Sequence, residues 1–318
     1  PYFAYSRVRQ GVFDTAGHLY GFRFEPAPSA PVWHASVEAW DVFAGTARIG
    51  RMYLDMHPRP GKFTHAATFP IHTGLPGKQL AEAALVCNVP AETASNPGLL
   101  SLSEVTTFFH EFGHLMHFLL ARGNRWTALN GFNTEWDFVE VPSQLLAEWA
   151  QNPATLASFA RHYQTGQPMP VKLVEQLRRA DRFGRGMRIR QQAMLARFAL
   201  SCHQRDPEGL DLAALLRRIR NEYLPVPEAP GAHMETAFTH LGGYDARYYT
   251  YLWSEVIEKD LFAAFRRAGL ADPSIARSYR EAILVPGGAR PAAAMVESFL
   301  GRTFRFDAWK QWLEGRDD

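Results

Sequence analysis

The stretch from Ser103 to Arg122, S-E-V-T-T-F-F-H-E-F-G-H-L-M-H-F-L-L-A-R, limits what this chain can fold into more than any other. Val105, Phe108, Phe109, Phe112, Leu115, Met116, Phe118, Leu119 and Leu120 make it apolar almost all round, which predicts a buried helix rather than an amphipathic one. Ser101 or Ser103 can cap its start, and Arg122-Gly123-Asn124 offers a basic last turn and a stop. Inside it, His110, Glu111 and His114 spell H-E-x-x-H. The two imidazoles share one helical face and the carboxylate sits about 100° round beside them. Buried polar groups are costly unless paired. Two hydrogen-bonded core histidines would be one answer, and a metal ion that satisfies all three groups is the other. Gly113 costs about 1 kcal/mol of helix propensity relative to alanine, so another part of the chain is expected to approach the backbone there.

Composition narrows the classes. The 318 residues are 47% hydrophobic and 21% charged, a globular balance with room for one large domain or two ordinary ones. A formal net charge of +2 argues against a strongly basic nucleic-acid surface, so no nucleic-acid partner is expected. No apolar run reaches transmembrane length and no signal-peptide pattern is present, so no membrane partner is expected either. Only Cys87 and Cys202 occur, and a reducing cytoplasm is the default location. The chain starts at Pro1 without an initiator methionine, which suggests a processed or truncated product.

Along the chain, residues 2 to 20 carry Phe3, Val8, Val12, Phe13 and Leu19 at mostly helical spacing, ending near Gly21. A Pro-rich connection from Pro26 to Pro31 follows. Strand-like runs at 39–43, 49–55, 65–69 and 83–89 are separated by Gly and Pro turns and predict one small sheet over about 37–89. An edge strand of such a sheet beside a metal-binding helix could hold an extended peptide through its main chain, or the sheet could be scaffold alone. After the loop 123–133, Thr134 is a fair N-cap for a helix in which Asp137 and Glu140 fall early and Pro142 sits in the first turn. Further helices are expected over 153–203, over 210–223 and from Glu255 to Trp312, the last broken by the loop 286–291. The sum is mainly α with one small β-sheet.

A catalytic zinc takes three protein ligands and keeps one position open. Glu140, flanked by Phe138 and Val139, is the preferred third ligand, with Glu135 and Glu148 as competitors. Asp137, Gln144, Glu104 and Glu148 are candidate acceptors for the second ring nitrogens of the histidines. Amide hydrolysis also needs donors for the oxyanion of a tetrahedral intermediate. The run from His240 to Tyr251 supplies an imidazole and four tyrosines, and Gly242-Gly243 could let a loop close over substrate. Tyrosines at 244, 248 and 251 could instead form a helical core stripe with polar tips, the better reading of any lone tyrosine, but the Gly-Gly start makes the functional reading more attractive here.

These residues resemble the thimet oligopeptidase and neurolysin family of zinc metallopeptidases, which includes oligopeptidase A and dipeptidyl carboxypeptidase. Three stretches carry the resemblance: F-H-E-F-G-H-L-M-H at Phe109 to His117, D-F-V-E-V-P-S-Q at Asp137 to Gln144, and H-L-G-G-Y-D-A-R-Y-Y-T-Y-L-W-S at His240 to Ser254. Weaker echoes lie at Tyr53 to Arg59, His65 to Ala67 and Phe299 to Arg302. The resemblance implies a zincin-type catalytic domain over 1–318, with zinc-site helices at about 101–151 and a Tyr/Gly loop at 240–251. It also implies one Zn2+ per chain on His110, His114 and Glu140, with Glu111 as general base. Tyr244, Tyr251 and His240 match the family's catalytic groups, with Tyr248 and Gly243 as substrate contacts. The family's long N-terminal helical part has no counterpart here, so a missing segment or partner chain could cover the cleft. The implied activity is hydrolysis of internal bonds in short peptides. A dipeptidyl carboxypeptidase, with Arg247 as a possible carboxylate donor, and an inactive peptide-binding fragment are the alternatives.

Overall fold

The computed structural model describes residues 1–204 and 206–316. Helix α1 (Tyr5–Tyr20) buries Val8, Val12, Ala16 and Leu19, the stripe its spacing predicts, and ends where Gly21 turns left-handed at φ 72°. Five strands follow: β1 (Phe22–Pro26), β2 (Glu38–Ala44), β3 (Ala47–Asp55), β4 (Ala67–His72) and β5 (Ala81–Val86). They form one sheet in the order β1-β2-β3-β5-β4. Only the β3/β5 pair is parallel, so the chain leaves β3, runs out to the far edge as β4, and returns inward as β5. The expected sheet is therefore present with one more strand. Phe22–Pro26 pairs with β2 along its whole length, a contact set by register across the following loop rather than by local pattern.

Helix α2 (Leu102–Leu120) crosses under the sheet. Ser101 and Glu104 close a reciprocal capping box at its start. Phe108, Phe109, Phe112, Leu115, Met116 and Leu119 are fully or almost fully buried, as their all-round distribution requires. Helix α3 (Val141–Ala147) packs beside it with Pro142 in its first turn. A Cβ on Gly113 would lie 2.6 Å from the Ser143 Cα and 2.7 Å from the Pro142 carbonyl, so this glycine exists for the close approach of α3. Thr134 does not cap a helix. Residues 134–140 run as turns, and Glu140 itself stands at the N-cap of α3 rather than inside a helix.

The remainder is helical: α4 (Pro153–Phe159), α5 (Val171–Arg182), α6 (Arg185–His203), α7 (Leu212–Tyr223), α8 (Met234–Ala237), α9 (Thr250–Ala268), α10 (Pro273–Tyr279), α11 (Ala292–Leu300) and α12 (Asp307–Leu313). The main core joins α1, the sheet, α2, α3 and parts of α9 to α11. A smaller cluster of Met194, Phe198, Leu216, Ile219, Phe238 and Tyr248 ties α6 and α7 to the tyrosine-rich segment. Among the described residues no helix is long and apolar enough to cross a membrane.

Candidate active site

The H-E-x-x-H side chains point into a cavity of about 690 Å³ between the edge of the sheet and the His240–Tyr251 segment. The rings of His110 and His114 stand nearly perpendicular with centroids 5.0 Å apart. Glu140 Oε2 lies 3.3 Å from His110 Nε2 and 3.2 Å from His114 Nε2. One donor atom from each of the three residues lies within 4.8 Å of the others.

The donor set fits a metal ion on the chemistry of its parts. Glu140 is 1% exposed, and among the described residues its ion-pair partners are the two imidazoles alone. Burial works to raise its carboxyl pKa, but the flanking histidines outweigh it and hold the group well below the usual carboxylate range. A buried carboxylate facing two imidazole nitrogens, with no arginine or lysine between them, is a nitrogen-and-oxygen set that borderline divalent ions such as zinc accept. The remaining oxygen, Oε1, accepts a short hydrogen bond from the Tyr244 hydroxyl, and Ser143 Oγ donates to Oε2 at 3.2 Å. The competitors are engaged elsewhere. Glu135 accepts from the Ala292 N–H at 2.7 Å, and Glu148 pairs with Lys259. His117, one turn beyond His114, is 0% exposed in the core, where burial foremost and then the charge of His114 lower its pKa to about 3.

Among the proposed histidine supports, Glu104 caps α2; the Gln144 amide N–H donates to the Tyr251 carbonyl at 2.9 Å, while its buried Oε1, the atom that could accept from an imidazole, has no hydrogen-bond partner among the described residues. Asp137 accepts a hydrogen bond from the Tyr249 hydroxyl at 3.4 Å. Glu111 lines the same cavity at 7% exposure. Its carboxylate accepts from the hydroxyl of Thr68 on β4, a contact that no motif announced.

Opposite the histidines, Tyr244, Tyr251, His240 and Gly243 line the cavity. The Tyr244 and Tyr251 rings are 5.1 Å apart, and His240 lies 5.8 Å from each. Burial, and next the charge of Glu140, push both phenol pKa values far up, so these hydroxyls stay protonated donors. Asp245, immediately after Tyr244, is the non-glycine residue of the described chain with positive φ, at 48°, so backbone strain is stored beside the cavity. The structure does not bring Tyr248 to the cavity wall. It is buried against Phe238 and supports His240 from the side, with ring centroids 4.9 and 5.2 Å away. Arg247 stacks on Trp136 at 3.9 Å and pairs with Asp245 at 2.7 Å.

A second cavity, of about 720 Å³, meets the first at His110 and is lined by charged side chains of α5, α6 and α9 and by Glu148 just after α3. It includes Lys259, Glu148, Arg188, Glu255 and Glu258.

An H-E-x-x-H helix laid beside the edge of a small sheet, with a carboxylate from the next segment closing a donor set, belongs to the metallopeptidases. Comparison with known proteins makes this specific: residues 1–314 match Peptidase family M3, and the chain belongs to that family. The thimet-like oligopeptidase of Dictyostelium discoideum is 33% identical over 311 residues, covering 94% of this chain and 46% of that protein. The dipeptidyl carboxypeptidase of Escherichia coli (strain K12) is 33% identical over 315 residues, covering 95% and 45%. The chain thus spans about half the length of the curated relatives it matches. Among solved structures, the M32 carboxypeptidase of Deinococcus radiodurans R1 shares the fold at a TM-score of 0.53 and 14% identity, over 99% of this chain and 59% of that one.

Proposed function

We propose that this chain is a zincin-type catalytic region that hydrolyses internal bonds of short peptides, with one zinc on His110, His114 and Glu140. The observation that carries the reading is the meeting of those donors with Glu111 and Tyr244 in one cavity beside the free edge of β4. Bound there, zinc would supply a Lewis acid that makes water nucleophilic near neutral pH and polarises the scissile carbonyl. Glu111 takes the proton of the attacking water and returns it to the leaving amine. Tyr244 and Tyr251 supply neutral hydroxyls to the developing oxyanion, and Gly243 and His240 form the wall against the substrate. The outer edge of β4, unpaired among the described residues, offers main-chain groups to an extended peptide. The two free cysteines suit a reducing cytoplasm, where we place the activity.

Relatives named for oligopeptidase and for dipeptidyl carboxypeptidase activity are equally similar, so the site has to decide between them. A carboxydipeptidase needs a cation for the free substrate carboxylate. Arg247 is already committed to Asp245 and Trp136, which favours cleavage of internal bonds. The test is mass mapping of products from one peptide with its C-terminus free and amidated, using zinc-loaded wild type and Glu111→Gln. The expected result is internal cleavage of both peptides, with Glu111→Gln retaining stoichiometric zinc and losing at least about 100-fold in turnover. Release of dipeptides from the free peptide alone would favour the carboxypeptidase. Unchanged turnover in Glu111→Gln would remove its role as base, and zinc-loaded wild type without any turnover would favour a peptide-binding fragment.

A further inference from the structure

Strand β4 bonds to β5 through one edge, and in that register Thr68 stands opposite Leu85. The Thr68 side chain leaves the sheet on the side of α2. Its Oγ1 lies 2.9 Å from the Glu111 carbonyl oxygen and 3.2 Å from Glu111 Oε2. Among the described residues it is the one side chain that donates a hydrogen bond to this carboxylate. A glutamate on a helix facing a cavity of this size has several rotamers open to it, and a proton acceptor works only from the one that aims an oxygen at the reacting water. Threonine suits the task of removing that freedom. Its branched Cβ restricts χ1, so the hydroxyl direction is set by the strand and not by the side chain's own flexibility.

We propose that Thr68 is a positioning residue for Glu111. Its single O–H proton, shared in a three-centre bond between the Glu111 carbonyl and Oε2, holds Oε2, leaves Oε1 to take the proton, and ties the helix turn at residue 111 to the strand. Because β4 is also an edge strand, with no strand paired to its outer side among the described residues, the place where a peptide would lie and the orientation of the base are set by one strand. This inference rests on the peptidase reading for its catalytic consequence, while the coupling between the two side chains stands apart from it.

The experiment compares Thr68→Val, which keeps shape and strand preference without the hydroxyl, with Thr68→Ser, which restores it. In zinc-loaded protein we expect Thr68→Val to lose about 10- to 100-fold in kcat. KM should stay within about twofold and Thr68→Ser should recover most of the loss. In metal-free protein, denaturation midpoints of Thr68→Val, Glu111→Ala and the double variant should be non-additive. Wild-type turnover in Thr68→Val, equal impairment of the valine and serine variants, or an additive cycle would each overturn the proposal. A non-additive cycle in a chain that cleaves no peptide would support the coupling and overturn the peptidase reading instead.

Discussion

The two cavities that meet at His110 are almost the same size, about 690 and 720 Å³, and both contain buried carboxylates. They differ in what faces those carboxylates. In the charged cavity the acids face lysine and arginine. Lys259 pairs with Glu148 and lies 3.2 Å from Glu258, and Arg188 reaches Glu255 at 2.8 Å. Glu258, 1% exposed, is held well above the usual carboxylate range by burial, which outweighs the nearby lysine. In the other cavity the carboxylates of Glu140 and Glu111 meet, among the described residues, only imidazoles and hydroxyls. Polar groups that are neutralised by their neighbours hold helices together. Those left to imidazoles and hydroxyls can still take a cation or a proton from outside.

If that contrast is right, substitutions on the two sides should fail in different ways. The largest effect is expected from Glu140→Ala. It should lower zinc affinity by more than about 100-fold, read by metal analysis after dialysis, because Glu135 and Glu148 are engaged elsewhere. Tyr244→Phe should come next, with kcat down by about 100-fold and KM little changed. An effect confined to KM would make Tyr244 a binding residue only. On the charged side, Lys259→Met should leave zinc content intact and cost about 3 kcal/mol in chemical denaturation, since Glu148 loses its buried partner. Glu258→Gln, at a carboxyl whose pKa burial raises, should cost less than Lys259→Met; an equal cost would mean that the Lys259 pairing outweighs the burial.

The smallest effect is a pH dependence that belongs to the tyrosine side. Burial above all, with some help from the charge of Glu140 and against a hydrogen bond involving Gln192, pushes the Tyr248 phenol up from 10.0 to about 12. A raised folded-state pKa means that this contribution is complete below pH 10 and is lost as pH rises through about 12. Stability should fall by at most roughly 2 to 3 kcal/mol over that window, and Tyr248→Phe should flatten this part of the curve. A curve of the same shape in wild type and Tyr248→Phe would show that the phenol is not shielded.

Much of this site was legible in the sequence because its chemistry lies in three contiguous stretches. The face shared by His110 and His114 follows from helical spacing alone, and Gly113 announced a close neighbour before that neighbour could be named. Spacing could not choose between Glu140, Glu135 and Glu148. The choice depends on a turn that halts the chain at the N-cap of α3 and on Ala292 and Lys259, both more than 100 positions away from the glutamates they occupy. Thr68 was invisible for the same reason. It lies in a run that reads only as strand, and its meaning depends on β4 being placed outside β5. The burial of Tyr248 depends on α6 and α7, which the tyrosine spacing does not mention.

Gly113 carries one more consequence. A methyl group there would have to push the Ser143 backbone outward from its 2.6 Å approach, and Glu140 is three residues away on that same segment. The width of the donor set is therefore gauged by a missing side chain on the helix that bears the histidines. The spacing between Glu140 and the two imidazoles is in this sense held by steric clearance between two backbones, so a residue that donates nothing helps shape the cavity.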